Sequence, residues 1–216
     1  MQVMSAPWTL QFLELALDQQ ALRFGRFTLK SGRISPYFFN AGAFCDGRTL
    51  HLLAKCYAAA IAARPLEFDL VFGPAYKGIP LAALVADHLY QDHEVNVGFA
   101  YNRKEAKQHG EGGQTVGCPL KGRVLLIDDV ITAGTAIKES LQLISSAGAE
   151  PIGVAVALDR QEVAQNGHSA VQMLQNQGLE VISLAALDDL VEWLAASGRD
   201  DESLQNMVNY RQRYGV

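Results

Sequence analysis

One run constrains the fold more than any other: Val124-Leu-Leu-Ile-Asp-Asp-Val-Ile-Thr-Ala-Gly-Thr-Ala136. Val124–Ile127 has no polar alternation, so it reads as a strand buried on both faces, inside a sheet covered by helices. Asp128 and Asp129 fall where that strand ends. Thr132, Ala133, Gly134 and Thr135 then form a loop with little side-chain bulk, whose backbone N–H groups can approach a ligand closely. A helix over about Ala136–Ala147 follows and turns its positive end back on the loop, which makes a phosphate site. The two acids cannot hold phosphate themselves. Beside such a cradle they are placed to accept hydrogen bonds from ribose hydroxyls, and phosphate with ribose means a phosphorylated sugar.

The remainder of the chain extends this unit. At 216 residues it is long enough for one α/β domain with an appendage or for two small domains. Thr9–Gln20 carries Leu10, Phe12, Leu13 and Leu17 at helical spacing. Phe24–Asn40, punctuated by Gly25, Gly32 and Pro36, reads as turns and short strands. Gly47–Ala63 is a Leu- and Ala-rich helix. Phe68–Phe72 is a buried strand stopped by Gly73-Pro74, and Ile79–Tyr90 is a helix with Pro80 tolerated in its first turn. Glu94–Ala100 is a strand. Asn102–Lys121 has no apolar periodicity and reads as a long irregular loop, of the kind that serves as a lid or stays disordered. After Val124–Asp128 and its helix, with Gly148 suited to the C-terminal cap, Ile152–Leu158 is the next strand. Gln161–Gln177 reads as a helix interrupted near Asn166-Gly167, Leu179–Ser183 as a last strand, and the rest as helix.

Strands alternating with helices imply a parallel sheet with helices on both faces. Ligands of such sheets bind outside the carboxyl ends of the strands. Gly73–Lys77, Tyr101–His109, Asp128–Thr135 and Asp159-Arg160 all follow strands, so they converge on one crevice.

Composition excludes several classes. The formal net charge of −5 argues against binding nucleic acid by neutralising its phosphates. No stretch approaches the ~20 uncharged apolar residues of a membrane span. The first residues, Met-Gln-Val-Met-Ser-Ala-Pro-Trp, lack the basic and apolar regions of a signal peptide. Cys45, Cys56 and Cys118 are odd in number and have no C-x-x-C spacing, so free thiols in a reducing cytoplasm are the simplest account.

Four further segments admit a functional and a plain reading. Gly73-Pro-Ala-Tyr-Lys-Gly78 is either an anion-holding turn with Lys77 or an ordinary strand–helix turn with a solvated lysine. Arg103, Lys104, Lys107 and His109 either arm a lid that closes on a departing anion or lie on a solvated loop. Phe38 and Phe39, near Lys30, either stack a planar base or pack a core. Arg160, just past a strand end, either forks a carboxylate or is a surface arginine. His51, His88, His93 and His168 show no metal-ligand spacing and receive no role.

Together these segments resemble the type I phosphoribosyltransferases and, through Phe27–Asn40, Asn102–Gly113 and Leu158–Glu162, their orotate branch in its bacterial form. The resemblance runs from the first helix to the closing Tyr210-Arg-Gln-Arg-Tyr-Gly-Val216. It implies that family's α/β fold, a mostly parallel central sheet flanked by helices, in a single domain over 1–216. A small hood of about 1–44 plus 185–216 would cover a core of about 45–184, with a mobile lid over about 102–117. It also implies an enzyme, a pentosyltransferase of cytoplasmic pyrimidine biosynthesis. The 5-phosphoribosyl group of 5-phosphoribosyl 1-pyrophosphate would pass to orotate, giving orotidine 5′-monophosphate and pyrophosphate.

Carried onto matching positions, the resemblance assigns the stretch Asp128, Asp129, Val130, Ile131, Thr132, Ala133, Gly134, Thr135 and Ala136 to the phosphoribosyl substrate. Thr132–Ala136 would take its 5′-phosphate, and the two acids its ribose. Tyr76 and Lys77 would contact the pyrophosphate, and Lys30 the phosphoribosyl substrate. Phe38 and Phe39 would flank the orotate ring, with Thr132 and Arg160 also touching orotate. Arg103, Lys104, Lys107 and His109 would complete a site shared across a homodimer, with Lys107, His109, Asp128 and Asp129 as the catalytic groups. Mg²⁺ would be held mainly through substrate phosphates and water, without a protein cage. Two neighbouring readings are a purine or uracil phosphoribosyltransferase and a non-catalytic sensor of the same phosphoribosyl ligand that regulates transcription.

Overall fold

A computed structural model describes residues 6–29, 31–104, 114–131, 135–164, 167–198 and 200–216. The elements run α1 (Pro7–Asp18), β1 (Leu22–Thr28), β2 (Ile34–Phe39), α2 (Gly47–Ala62), β3 (Leu70–Gly73), α3 (Gly78–His93), β4 (Gly98–Asn102) and β5 (Thr115–Gly117). They continue with β6 (Arg123–Ile127), α4 (Thr135–Ser146), β7 (Glu150–Asp159), α5 (Ala170–Gln175), β8 (Glu180–Ala186), α6 (Leu187–Ser197) and α7 (Asp201–Tyr214). A six-stranded sheet has the order β5-β4-β3-β6-β7-β8, parallel throughout except for β5 against β4. β1 and β2 form a separate antiparallel pair.

The continuous apolar strands behave as their patterning requires, since Val124, Leu125, Leu126 and Ile127 are all fully buried. Their side chains divide by alternation. Val71, Leu125, Ile127, Ala155 and Ile182 join a core with α1, α2, α3, α6 and α7. Leu70, Phe72, Val124, Leu126 and Val154 join a second core with Ile137, Leu141 and Ile144 of α4 and Leu174 of α5. The sheet is therefore covered on both faces.

Local chemistry fixes the helix ends. Asp46 and Thr49 make a reciprocal capping box at the start of α2, and Ser169 and Gln172 do the same for α5. Thr9 donates from its hydroxyl to the Leu184 carbonyl at 2.7 Å, which pins α1 to β8. The histidines left without a role include a hydrogen-bonded pair between two helices, His88 buried and His51 exposed. His88 bonds Asp92 at 2.9 Å and His51 at 3.0 Å, joining α3 to α2.

Two expectations are corrected. The irregular loop expected over Asn102–Lys121 contains β5, an edge strand of only three residues, Thr-Val-Gly, too short to show an alternating pattern. The helix expected over Gln161–Gln177 shrinks to α5. Gln161 sits at φ 48°, in the left-handed region, and Glu162 and Val163 bridge to Gly215 and Ser169 instead of continuing a helix.

The sheet order sets where a ligand binds. From β3 the chain passes through α3 to β4 on one side, whereas β6, on the other side, leads on to β7 and β8. The strand order reverses between β3 and β6, and a crevice opens outside their carboxyl ends.

Candidate active site

Glycine geometry shapes the first wall of that crevice. A Cβ on Gly73 would overlap the Gly78 carbonyl, and one on Gly78 would stand 2.6 Å from Pro74 Cδ and 2.9 Å from the Ile127 carbonyl. The Gly73–Gly78 turn thus packs directly on the end of β6 because both positions lack side chains. Asn102 at the end of β4 holds the turn from the other side, accepting from the Ala75 N–H at 2.8 Å. The Ala75–Tyr76 peptide is cis. Lys77 reaches back to Asp129, with Nζ 2.8 Å from Oδ2. Lys104 lies over the Tyr76 ring, 4.8 Å from its centroid.

The second wall is the turn after β6, and its backbone is tightly specified. The Asp129 N–H donates to Asp128 Oδ1 and the Val130 N–H to Asp129 Oδ1, both at 2.9 Å. Tyr57, buried in α2, donates its hydroxyl to the Asp128 carbonyl at 2.8 Å. Ala157 of β7 donates to the Asp129 carbonyl at 2.9 Å. Burial, with Asp129 beside it, pushes the Asp128 carboxyl up to about 6. Burial first, and the two aspartates second, push the Tyr57 phenol well above its ordinary range. Val130 and Ile131 pack against opposite cores, so any contribution they make to a ligand comes from backbone. Ala136 is exposed in the first turn of α4.

The third wall joins the turn after β7 to the β1–β2 pair. Arg160 donates from Nε to Glu162 Oε1 at 2.8 Å, and its Nη2 lies 2.6 Å from the same oxygen. Nη2 also reaches Ser35 Oγ at 3.2 Å, and the guanidinium stands 4.3 Å from the Tyr37 ring centroid. Arg160 is therefore a largely buried group held against β2, and the surface-arginine reading fails.

The two phenylalanines separate, as neighbours on a strand must. Phe39 points into the core against Phe12 and Phe44, with centroids 5.9 and 6.4 Å away. Its ring is buried in that core and is not presented to solvent. Phe38 faces the other way, stacked on Phe27 at 5.5 Å, with Arg23 5.6 Å from both rings.

The structure thus brings together Tyr76 with Lys104, Lys77 with Asp129, and Arg160 with the Phe38–Phe39 strand. Arg103 is placed by its backbone, which donates to Gln114 at 2.7 Å. Lys30, Lys107, His109, Thr132, Ala133 and Gly134 lie outside the described residues, and Thr135 opens α4. Sequence reasoning missed Tyr57, Asn102, Ser35 and Glu162. Of these, Glu162 alone carries a local signal, an acid two positions from an arginine. Among the described residues no three His, Cys, Asp or Glu gather as a metal site. Among the described residues no helix is long and apolar enough to cross a membrane.

Comparison with known proteins agrees with this geometry. The family model described as phosphoribosyl transferase domain matches residues 50–185. An orotate phosphoribosyltransferase of Thioalkalivibrio sulfidiphilus is 56% identical over 207 residues, 95% of this chain and 97% of that protein. One of Cronobacter sakazakii is 53% identical over 211 residues, 97% of this chain and 99% of that protein. The crystal structure of the orotate phosphoribosyltransferase of Francisella tularensis superposes with a TM-score of 0.85 at 41% identity, covering 95% of this chain and 99% of that one.

Proposed function

Since the chain belongs to the phosphoribosyltransferase family, and within it to the orotate phosphoribosyltransferases, we propose how its own residues divide the work of that reaction. The enzyme transfers the 5-phosphoribosyl group of 5-phosphoribosyl 1-pyrophosphate to orotate, releasing pyrophosphate and forming orotidine 5′-monophosphate. A ring nitrogen of orotate forms the new bond to the anomeric carbon as the bond to pyrophosphate breaks. No protein nucleophile is needed; the difficulty is charge on the leaving group and an electron-poor ribose.

The observation that carries the assignment of the sugar site is the Asp128–Asp129 turn at the strand-order reversal, rigidly bonded and opposed by Lys77. The two carboxylates accept from the ribose hydroxyls, and the start of α4 with residues 132–136 receives the 5′-phosphate. Lys77 exchanges its bond with Asp129 for the pyrophosphate, helped by Tyr76, Lys30, Arg103 and Lys104. Lys107 and His109 complete the stabilisation of the leaving group. Arg160 takes the carboxylate of orotate, and Thr132 and the Phe38–Phe39 backbone border the ring.

Mg²⁺ would fit this site: the paired aspartates leave the crevice short of positive charge beside Lys77, and substrate phosphates and water would supply most of its ligands. When bound it would offset charge on the pyrophosphate oxygens.

The working unit is a homodimer with shared sites. Tyr90, 61% exposed near the end of α3, offers a large side chain that a second copy would cover. The hood of about 1–44 plus 185–216 closes over the core of about 45–184, and the lid of about 102–117 reaches the neighbouring site. The three cysteines are free thiols, which suits the cytoplasm.

An absorbance assay with orotate, the phosphoribosyl substrate and Mg²⁺, run beside uracil, hypoxanthine and adenine, tests the reading. Turnover is expected with orotate alone. Arg160→Ala is expected to raise the KM for orotate far more than that for the phosphoribosyl substrate, and equal losses would remove Arg160 from orotate. Lys107→Ala is expected to lower kcat by about 10²–10³, as for other preorganised electrostatic donors.

A further inference from the structure

Arg160 is not free to search for a carboxylate, because its Nε and Nη2 both point at one oxygen of Glu162. Glu162 takes the Nε–Nη2 edge of the guanidinium, and Nη2 also reaches Ser35, which turns the Nη1 side away from Glu162. What holds Glu162 is the far end of the chain. Tyr210 of α7 donates its hydroxyl to the same Oε1 at 2.8 Å, and Arg33 approaches Oε2 at 3.7 Å.

The backbone around this pair is clamped by the last residues. The Val163 N–H donates to the Tyr214 carbonyl at 2.8 Å, and the Val216 N–H to the Gln161 carbonyl at 2.9 Å. Arg33 donates to the Val163 carbonyl at 2.8 Å and lies 5.0 Å from the Tyr214 ring centroid. The side chains of Arg160 and Glu162 are each 16% exposed, so neither charge can be solvated if the other leaves.

We propose that Glu162, fixed by Tyr210 of the C-terminal helix and by Arg33, is the positioning residue that aims Arg160 at the substrate's carboxylate. This rests on the reading of Arg160 as the orotate-recognising group. Glu162 does not touch the reacting atoms. By occupying the Nε edge it leaves the remaining donors of the fork for a second carboxylate, and it keeps the arginine charge matched when the site is empty. Selectivity for a carboxylated pyrimidine is thereby built partly from residues 210–216, remote in sequence from every phosphate-binding turn.

The test compares Glu162→Gln, Glu162→Ala, Tyr210→Phe, Arg160→Ala and the double variant Arg160→Ala/Glu162→Gln, with initial rates over both substrates and the orotate-to-uracil preference. Glu162→Gln keeps the shape and an acceptor oxygen. It is expected to raise the KM for orotate about tenfold, the size of a weakened charge-assisted hydrogen bond. The KM for the phosphoribosyl substrate should stay within about twofold, the scatter expected of an uncoupled site. Tyr210→Phe should move the orotate KM the same way by less, and Glu162→Ala by more. In the Arg160→Ala background, Glu162→Gln should add nothing, since it acts through that arginine.

A Glu162→Gln enzyme with unchanged orotate KM would overturn the proposal while leaving Arg160 in place. Effects that add fully to those of Arg160→Ala would also overturn it, as would equal losses for both substrates. An Arg160→Ala enzyme with normal orotate KM would overturn the reading of Arg160 and this proposal with it.

Discussion

The turn after β6 and the turn after β7 both carry charge to the same edge of the sheet, but they settle it differently. At Asp128–Val130 two carboxylates stand together against one lysine, whose side chain is 61% exposed, and Asp128 is pushed up to about 6. At Asp159–Val163 an arginine and a glutamate are already paired below the surface, with a tyrosine on the same oxygen. The first turn is held rigid by backbone bonds and Tyr57 while its carboxylates remain short of cationic partners. The second is held by its side chains. The contrast suits their ligands. In the proposed reading, ribose would bring hydroxyl donors to the acids of the first turn, whereas the carboxylate of orotate would meet an arginine already oriented and already matched.

The hardest way to break this contrast is to remove the matched cation. Arg160→Ala leaves Glu162 buried without its main partner, and the expected loss of stability is about 3–5 kcal/mol. Urea unfolding at neutral pH measures it. A loss below about 1 kcal/mol, the value of an exposed pair, would mean that the second turn is no more committed than a surface salt bridge.

Lys77→Ala strikes the other turn and is expected to act on binding more than on folding. The lysine is largely exposed, so the folded state loses little. A charged hydrogen bond to pyrophosphate is worth about 1.5–3 kcal/mol, which predicts a KM for the phosphoribosyl substrate raised roughly 10–100-fold. Isothermal titration with that substrate and Mg²⁺ checks it. A large drop in melting temperature with unchanged affinity would reverse the roles given to the two turns.

The two turns were also unequally legible. Val124–Ile127 has one physical solution, burial on both faces, and the acids and small residues after it follow from that strand's end. The strand and its acidic turn can therefore be read from consecutive residues. The turn after β7 cannot. Gln161 enters the left-handed region because Gly215 and Val216 pair beside it, and the Tyr210–Glu162 bond spans 48 positions. No local pattern encodes that meeting, so 161–177 looked helical. Phe38-Phe39 shows an intermediate case. The strand was visible, but which ring enters the core depended on Phe12 and Phe44, which come from separate segments. β5 is hidden for a plainer reason: three edge residues held by backbone pairing are too few to show a period.

The smallest expected effect sharpens the comparison most, because its sign differs between the turns. Asp128 titrates at about 6 in the folded chain and near 3.8 as an ordinary carboxyl. Between those values the folded state binds a proton that the unfolded state has released, so stability falls as pH rises through the window. Above it the fold carries the whole cost of a charged, half-buried acid. The full shift corresponds to about 3 kcal/mol, and partial solvent access reduces this to about 1–2 kcal/mol. Asp128→Asn removes the charge and keeps an oxygen that can accept from the Asp129 N–H. The variant should therefore be more stable than its parent at pH 8 by about 1–2 kcal/mol, with the gap closing between pH 6 and 4, while its affinity for the phosphoribosyl substrate falls. Glu162→Gln, which loses a matched partner, should be less stable than its parent at pH 8. Denaturant melts of both variants across pH 4–8 read the two signs side by side. A stabilised Glu162→Gln, or an Asp128→Asn destabilised at every pH, would mean that the acids of both turns are compensated alike.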